Sequence, residues 1–102
     1  MSPEKRFSEI GAEIDGAIAG NLFGKPCYKI NGKAFVCLFK EEMVFKLSDT
    51  QHKEALSLDG TQLFDPSGKR RPMKEWVQIP FDYQEKWPQF ATAAHNYVGK
   101  SK

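Results

Sequence analysis

Asn31-Gly32 lies between two runs of apolar and aromatic residues, and no other feature restricts the fold so much. Asparagine and glycine tolerate the positive φ angles of a two-residue type I′ turn, whose twist matches that of paired strands. Residues 25–40 therefore read as a β-hairpin. The turn sets a register in which Tyr28 faces Phe35 and Cys27 faces Val36. A second tight turn at Glu41-Glu42 adds a third strand, with Leu38 opposite Phe45, Val36 opposite Leu47 and Phe39 opposite Val44. Alternate residues of a strand point to opposite faces. One face then carries Ala34, Val36, Leu38, Met43, Phe45 and Leu47, and it is apolar enough to lie under helices. The other carries Tyr28, Phe35, Cys37, Phe39, Val44, Lys33 and Lys46, aromatic residues mixed with charge.

The flanking segments supply the second layer. Ser2 caps a helix that begins at Pro3, a position that needs no amide hydrogen. Phe7, Ile10, Ile14, Ala17 and Ile18 continue at helical spacing, so a helix is expected over residues 1–20. Gly11 and Gly16 each weaken it by about 1 kcal/mol relative to alanine, so packing must hold it. Ser48 with Gln51 three residues on reads as a capping box for a short helix through Leu56. A strand follows over residues 61–64, then the turn Asp65-Pro66-Ser67-Gly68 and a basic loop. Trp76-Val77-Gln78-Ile79 is the last strand, with Val77 and Ile79 on the apolar face and Trp76 and Gln78 on the other. Trp87, Phe90, Ala91, Ala94, Tyr97 and Val98 form the buried stripe of a helix over 84–98, and 99–102 form a tail. The expected fold is α+β: two layers, an antiparallel sheet of about five strands with helices on one face, in the order α-β-β-β-α-β-β-α. Residues 1–102 make a single domain, with the sheet and its short helix spanning 25–80.

Bulk properties narrow the function classes. A net charge of +2 implies no strong general attraction to polyanions. No apolar run approaches a membrane span, so no membrane association is expected. No signal segment precedes the two cysteines. The expectation is a cytoplasmic protein with reduced thiols.

No catalytic, cofactor or metal constellation stands out. His52 and His95 lack further histidine or cysteine at ligand spacing. Ser67 has no partnering base, and Glu41-Glu42 and Asp65 read as turn chemistry. Cys27 and Cys37 fall on opposite faces in the register above, which disfavours a disulfide, although a one-residue bulge would bring them opposite. Gly32, Ala34, Phe35 and Val36 match part of an RNA-recognition signature, but Asn31, Lys33 and Leu38 occupy its basic and aromatic positions. Two surfaces remain. Tyr28, Phe35, Phe39 and Trp76 form a candidate interface or ligand face, read first as the surface of a homodimer. Lys69, Arg70, Arg71 and Lys74 are candidate anion contacts. The leading expectation is a non-catalytic interaction domain that self-associates through the aromatic face, with room for another protein partner. The alternatives are a nucleic-acid-associated regulatory module and a small-ligand enzyme.

The order of Phe23-Gly24, Tyr28, Asn31-Gly32-Lys33 with Phe35, the strand through Lys46, Trp76-Val77-Gln78-Ile79-Pro80 and the Trp87 to Val98 helix resembles the TfoX N-terminal domain-like family. The likeness runs from about Leu22 onward. It implies an antiparallel sheet with helices on one side, a fold similar to that of type III secretion chaperones, and it implies no catalytic residues. The competence regulator of that family carries a second helical domain, and the likeness covers only the first, so control of competence is not implied.

Overall fold

A computed structural model describes residues 2–22, 24–65 and 73–100. The elements are α1 (Pro3–Glu13), β1 (Ile18–Leu22), β2 (Lys25–Ile30), β3 (Lys33–Phe39), β4 (Glu42–Lys46), α2 (Asp49–Leu56), β5 (Gln62–Phe64), β6 (Met73–Ile79), a 3-10 turn (Phe81–Tyr83) and α3 (Trp87–Lys100). The fold is α+β, with one antiparallel sheet of six strands in the order β1-β2-β3-β4-β6-β5. Helices α1 and α3 pack on the central strands of one face, and α2 packs on β6 beside α3. No described helix is long and apolar enough to cross a membrane.

The strand beyond the expected five is β1, and it comes out of the expected first helix. The Ser2 Oγ accepts from the Lys5 amide at 3.1 Å, and Pro3 opens α1 as expected. Phe7, Ile10 and Gly11 are buried, but the helix stops at Glu13, and Ile14 is extended. Asp15-Gly16 then turns the chain, with Gly16 at φ 80. Ile18 and its successors pair with β2, Ile18 opposite Lys29 and Leu22 opposite Lys25. At the other end α3 continues through Gly99 to Lys100, residues assigned above to a tail.

The Asn31-Gly32 turn forms as expected, with φ 54 and 79. The register beyond it does not. Ile30 pairs with Lys33 and Lys29 with Ala34, but Tyr28 pairs with Val36 and Cys27 with Cys37. Phe35 is the extra residue of a β-bulge on β3. A bulge inserts one residue and so switches which side chains reach each face. Phe35 and Val36 both join the helix-side core, and Ala34 moves to the opposite face. The next turn is Lys40-Glu41, one place earlier than expected, with φ 50 and 66. Val36 now faces Phe45 and Leu38 faces Met43. That register differs from the expected one by two residues, an even number, so every side chain of β4 keeps its expected face.

The helix-side core contains Phe7, Ile10, Val36, Leu38, Met43, Phe45, Leu47, Val77, Ile79, Trp87, Phe90 and Ala94, all buried. The opposite face holds a second buried cluster of Cys27, Cys37, Val44, Phe64 and Trp76, with Leu22, Phe39 and Met73 packed against it. Its geometry reveals the shape of the sheet. Phe39 on β3 and Phe64 on β5 have ring centroids 5.1 Å apart. Those strands are separated by β4 and β6, which in a flat sheet means about 14 Å. The sheet is therefore rolled, concave on the side away from the helices, and its own aromatic side chains fill the hollow.

Candidate functional site

The four aromatic residues expected on one face are divided between two. Tyr28 packs on Phe7 of α1 with centroids 5.1 Å apart, and its hydroxyl donates to the Ser8 carbonyl at 3.4 Å. Phe35 is fully buried, edge-on to His95 of α3 at 5.6 Å. Both serve the helix-side core, because the bulge redirects Phe35 and seats Tyr28 opposite Val36. Phe39 and Trp76 do lie on the expected side. Phe64 joins them, 5.1 Å from Phe39 and 6.4 Å from Trp76. Trp76 is only 6% exposed. The Phe39 ring is half-buried and has the ammonium groups of Lys25 and Lys40 over it, each 5.4 Å from the centroid. No open aromatic platform exists among the described residues, because the roll has consumed it.

Lys69, Arg70, Arg71 and Ser67 lie outside the described residues. Lys74 begins the described part of that basic run, exposed on β6, and lines a shallow 360 Å³ depression with Lys46, Met73, Glu75 and Trp76. His52 Nε2 donates to the Lys74 carbonyl at 2.7 Å, which ties α2 to β6.

A larger polar groove of 680 Å³ runs between the start of α2 and α3, lined by Ser48, Asp49, Gln51, Gln89, Thr92 and Asn96 among others. Ser48 occupies the N-cap position, but its side chain makes no cap bond, so the expected capping box does not form. Gln51 Oε1 is buried without a hydrogen-bond partner. Tyr97 closes one side of the groove, its hydroxyl donating to Glu75 Oε2 at 2.6 Å. That bond raises the Tyr97 pKa above its ordinary value, with smaller contributions from burial and from the charges of Glu75 and Asp49. Among the described residues no three His, Cys, Asp or Glu side chains gather as they would to hold a metal ion.

The sheet edge is what sequence reasoning missed. Among the described residues β1 is the terminal strand and has only β2 as a neighbour. Its residues Ile18-Ala19-Gly20-Asn21-Leu22 include no charge and no proline, the usual devices that keep an edge from pairing. Ile18 is 69% exposed, the more exposed of the two large apolar side chains at the surface among the described residues. The other edge, β5, is three residues long. The signal for β1 was Asp15-Gly16, a turn dipeptide.

Comparison with family models, curated proteins and solved structures finds no match to this chain.

Proposed function

We propose that this chain is a small non-catalytic interaction domain that associates with a second copy of itself, edge to edge through β1. The observation that carries the reading is an unprotected edge strand with an exposed isoleucine. An edge strand presents unpaired amide and carbonyl groups that another strand can complete. The sequence of β1 is complementary to itself. Antiparallel pairing with Gly20 opposite Gly20 sets Ile18 of each copy opposite Leu22 of the other, two apolar cross-strand pairs around a two-fold axis. Both residues lie on the concave side, since Gly20 pairs with Cys27 and Leu22 packs in the same cluster. The new contacts therefore extend an existing apolar cluster. Self-association is moved here from the aromatic face because Phe35 and Trp76 are already covered within one copy. The order of hairpin, last strand and closing helix supports the TfoX N-terminal domain-like reading proposed with it, and a cytoplasmic location belongs to the same proposal.

Five residues of strand bury much less than a standard stable interface, so the dissociation constant should fall between about 10 μM and 1 mM. Light scattering across that concentration range tests this. The native chain should shift from monomer to dimer as concentration rises, and Ile18→Lys should stay monomeric with an unchanged melting temperature. A native chain that is monomeric throughout, or an Ile18→Lys variant that dimerises equally well, overturns the proposal.

A further inference from the structure

The β-bulge at Phe35 has a second effect. Without it, the Asn31-Gly32 register would set Cys27 opposite Val36. With it, Cys27 and Cys37 are paired across β2 and β3 on the concave face. Directly opposed residues of an antiparallel pair have Cα atoms roughly 4.5–5.5 Å apart, inside the roughly 4.4–6.8 Å that a disulfide spans. Both thiols are free, and they are 1% and 0% exposed. They also sense each other: burial first, and the charge of Cys27 second, push the Cys37 pKa up to about 12.

We propose that Cys27 and Cys37 are a redox pair that closes into an intramolecular disulfide when the protein meets a small-molecule disulfide such as oxidised glutathione. This rests on the register of β2 and β3, and its oxidant route uses the monomer, in which β1 is a free edge. Cys27 is the attacking thiol. Burial raises its pKa, but the Lys29 ammonium acts the other way and favours its thiolate. Only β1 separates β2 from the sheet edge, and the residue of β1 opposite Cys27 is Gly20, so the cover there is the flexible Lys29 side chain, whose Cε lies 3.2 Å from where a Gly20 Cβ would stand. Detachment of an edge strand is a low-energy local opening, and it gives the oxidant its route.

The chemistry balances with the oxidant alone. Cys27, having lost its proton, attacks one sulfur of glutathione disulfide. That S–S bond breaks and one glutathione leaves as thiolate, which takes up a proton. Cys37 then loses its proton and attacks Sγ of Cys27 in the mixed disulfide. The second glutathione leaves and is protonated. Two protein S–H bonds have become one S–S bond, and one glutathione disulfide has been reduced to two glutathione molecules. The product clamps β2 to β3 beside the bulge. Such a clamp suits a reducing compartment, where disulfides act as transient redox sensors.

The test takes the full chain to equilibrium in glutathione buffers of graded potential, approached from both the reduced and the oxidised protein. Samples are quenched with an alkylating agent for intact mass. The oxidised chain should lose about 2 Da, take up no alkyl group, run as a monomer without reductant and recover both thiols with dithiothreitol. Closing a loop of about ten residues should also lower its unfolding constant roughly 100-fold in urea titration. Cys37→Ser should stop at one glutathione adduct on Cys27. The proposal is overturned if the native chain remains a dithiol or an open glutathione adduct at a potential where the same chain in denaturant has closed. Disulfides formed only between molecules overturn it equally.

Discussion

Gly11 lies in the last turn of α1, where helix propensity alone favours alanine by up to about 1 kcal/mol. The structure reverses that expectation. A Cβ at Gly11 would stand 2.1 Å from both Cε2 and Cζ of Tyr28 and 2.5 Å from Cδ2. Carbon atoms in ordinary contact sit about 3.5–4.0 Å apart, so the helix or the ring would have to move by more than an ångström. The ring is not free to do so, because it packs on Phe7 at 5.1 Å and its hydroxyl reaches the Ser8 carbonyl. Overpacking of this kind costs about 1–3 kcal/mol. Disturbing the Tyr28–Phe7 contact adds about 0.5–1.5 kcal/mol. Set against the propensity gain, Gly11→Ala should destabilise the protein by about 0.5–3.5 kcal/mol. At about 4 °C or more per kcal/mol for a chain of this length, the melting temperature should fall by about 2–14 °C. Urea titration of four proteins completes the cycle: native, Gly11→Ala, Tyr28→Ala and the double variant. In the Tyr28→Ala background the clash is gone, and Gly11→Ala should become stabilising by up to about 1 kcal/mol. A stabilising Gly11→Ala in the native background would refute the close approach of α1 to β2. So would an effect of the same size and sign in both backgrounds.

Two other perturbations have signs that the structure sets. Lys40 and Glu41 both occupy the left-handed region without being glycine, at φ 50 and 66, and such residues cost about 1 kcal/mol or more each. Glu41→Gly should therefore raise the urea midpoint, with a net gain of about 0.5–1 kcal/mol after glycine's greater unfolded-state entropy; an unchanged or lower midpoint would show that the turn is unstrained. The Tyr97 hydroxyl donates to Glu75 and its pKa lies above the ordinary 10.0. The unfolded chain then loses this proton first, so the contribution of the bond is complete below pH 10 and is lost as pH rises through the folded-state value. Stability should decline across that alkaline window, and Glu75→Gln should both lower the Tyr97 pKa in a tyrosinate absorbance titration and flatten the decline. A pKa unmoved by Glu75→Gln would remove the hydrogen bond as the cause.

What the sequence made legible was local. Asn31-Gly32 carries its turn type in two residues, and the structure has that turn. The faces of β4 and β6 were also readable, because the second turn moved the register by an even number and period-2 alternation is blind to such a shift. Ile18 was not readable as a strand residue, since it continues the spacing of Ile10 and Ile14. The outcome was decided by Asp15-Gly16, where one turn outweighs two further positions of apolar periodicity. The roll of the sheet was not readable either. It depends on Phe39 meeting Phe64 across two intervening strands, and nothing in residues 25–47 refers to Phe64.

The bulge at Phe35 is the most consequential feature that the sequence did not reveal. A bulge has no residue signature here, because Ala34-Phe35-Val36 is ordinary strand sequence on either register. Its cause is tertiary: with Phe35 turned inward, both Phe35 and Val36 are fully buried on the helix side, and Phe35 meets His95 of α3. Burying a phenylalanine stabilises by about 1.5–3 kcal/mol, enough to outweigh one unpaired position in the ladder, which is worth about 1 kcal/mol. The same inserted residue removes Phe35 from the aromatic face and brings Cys27 opposite Cys37. A Phe35→Ala variant would remove the reward for the bulge. Where the hairpin reverts to its turn-set register, the thiols should separate to opposite faces and disulfide closure should fail in the folded chain.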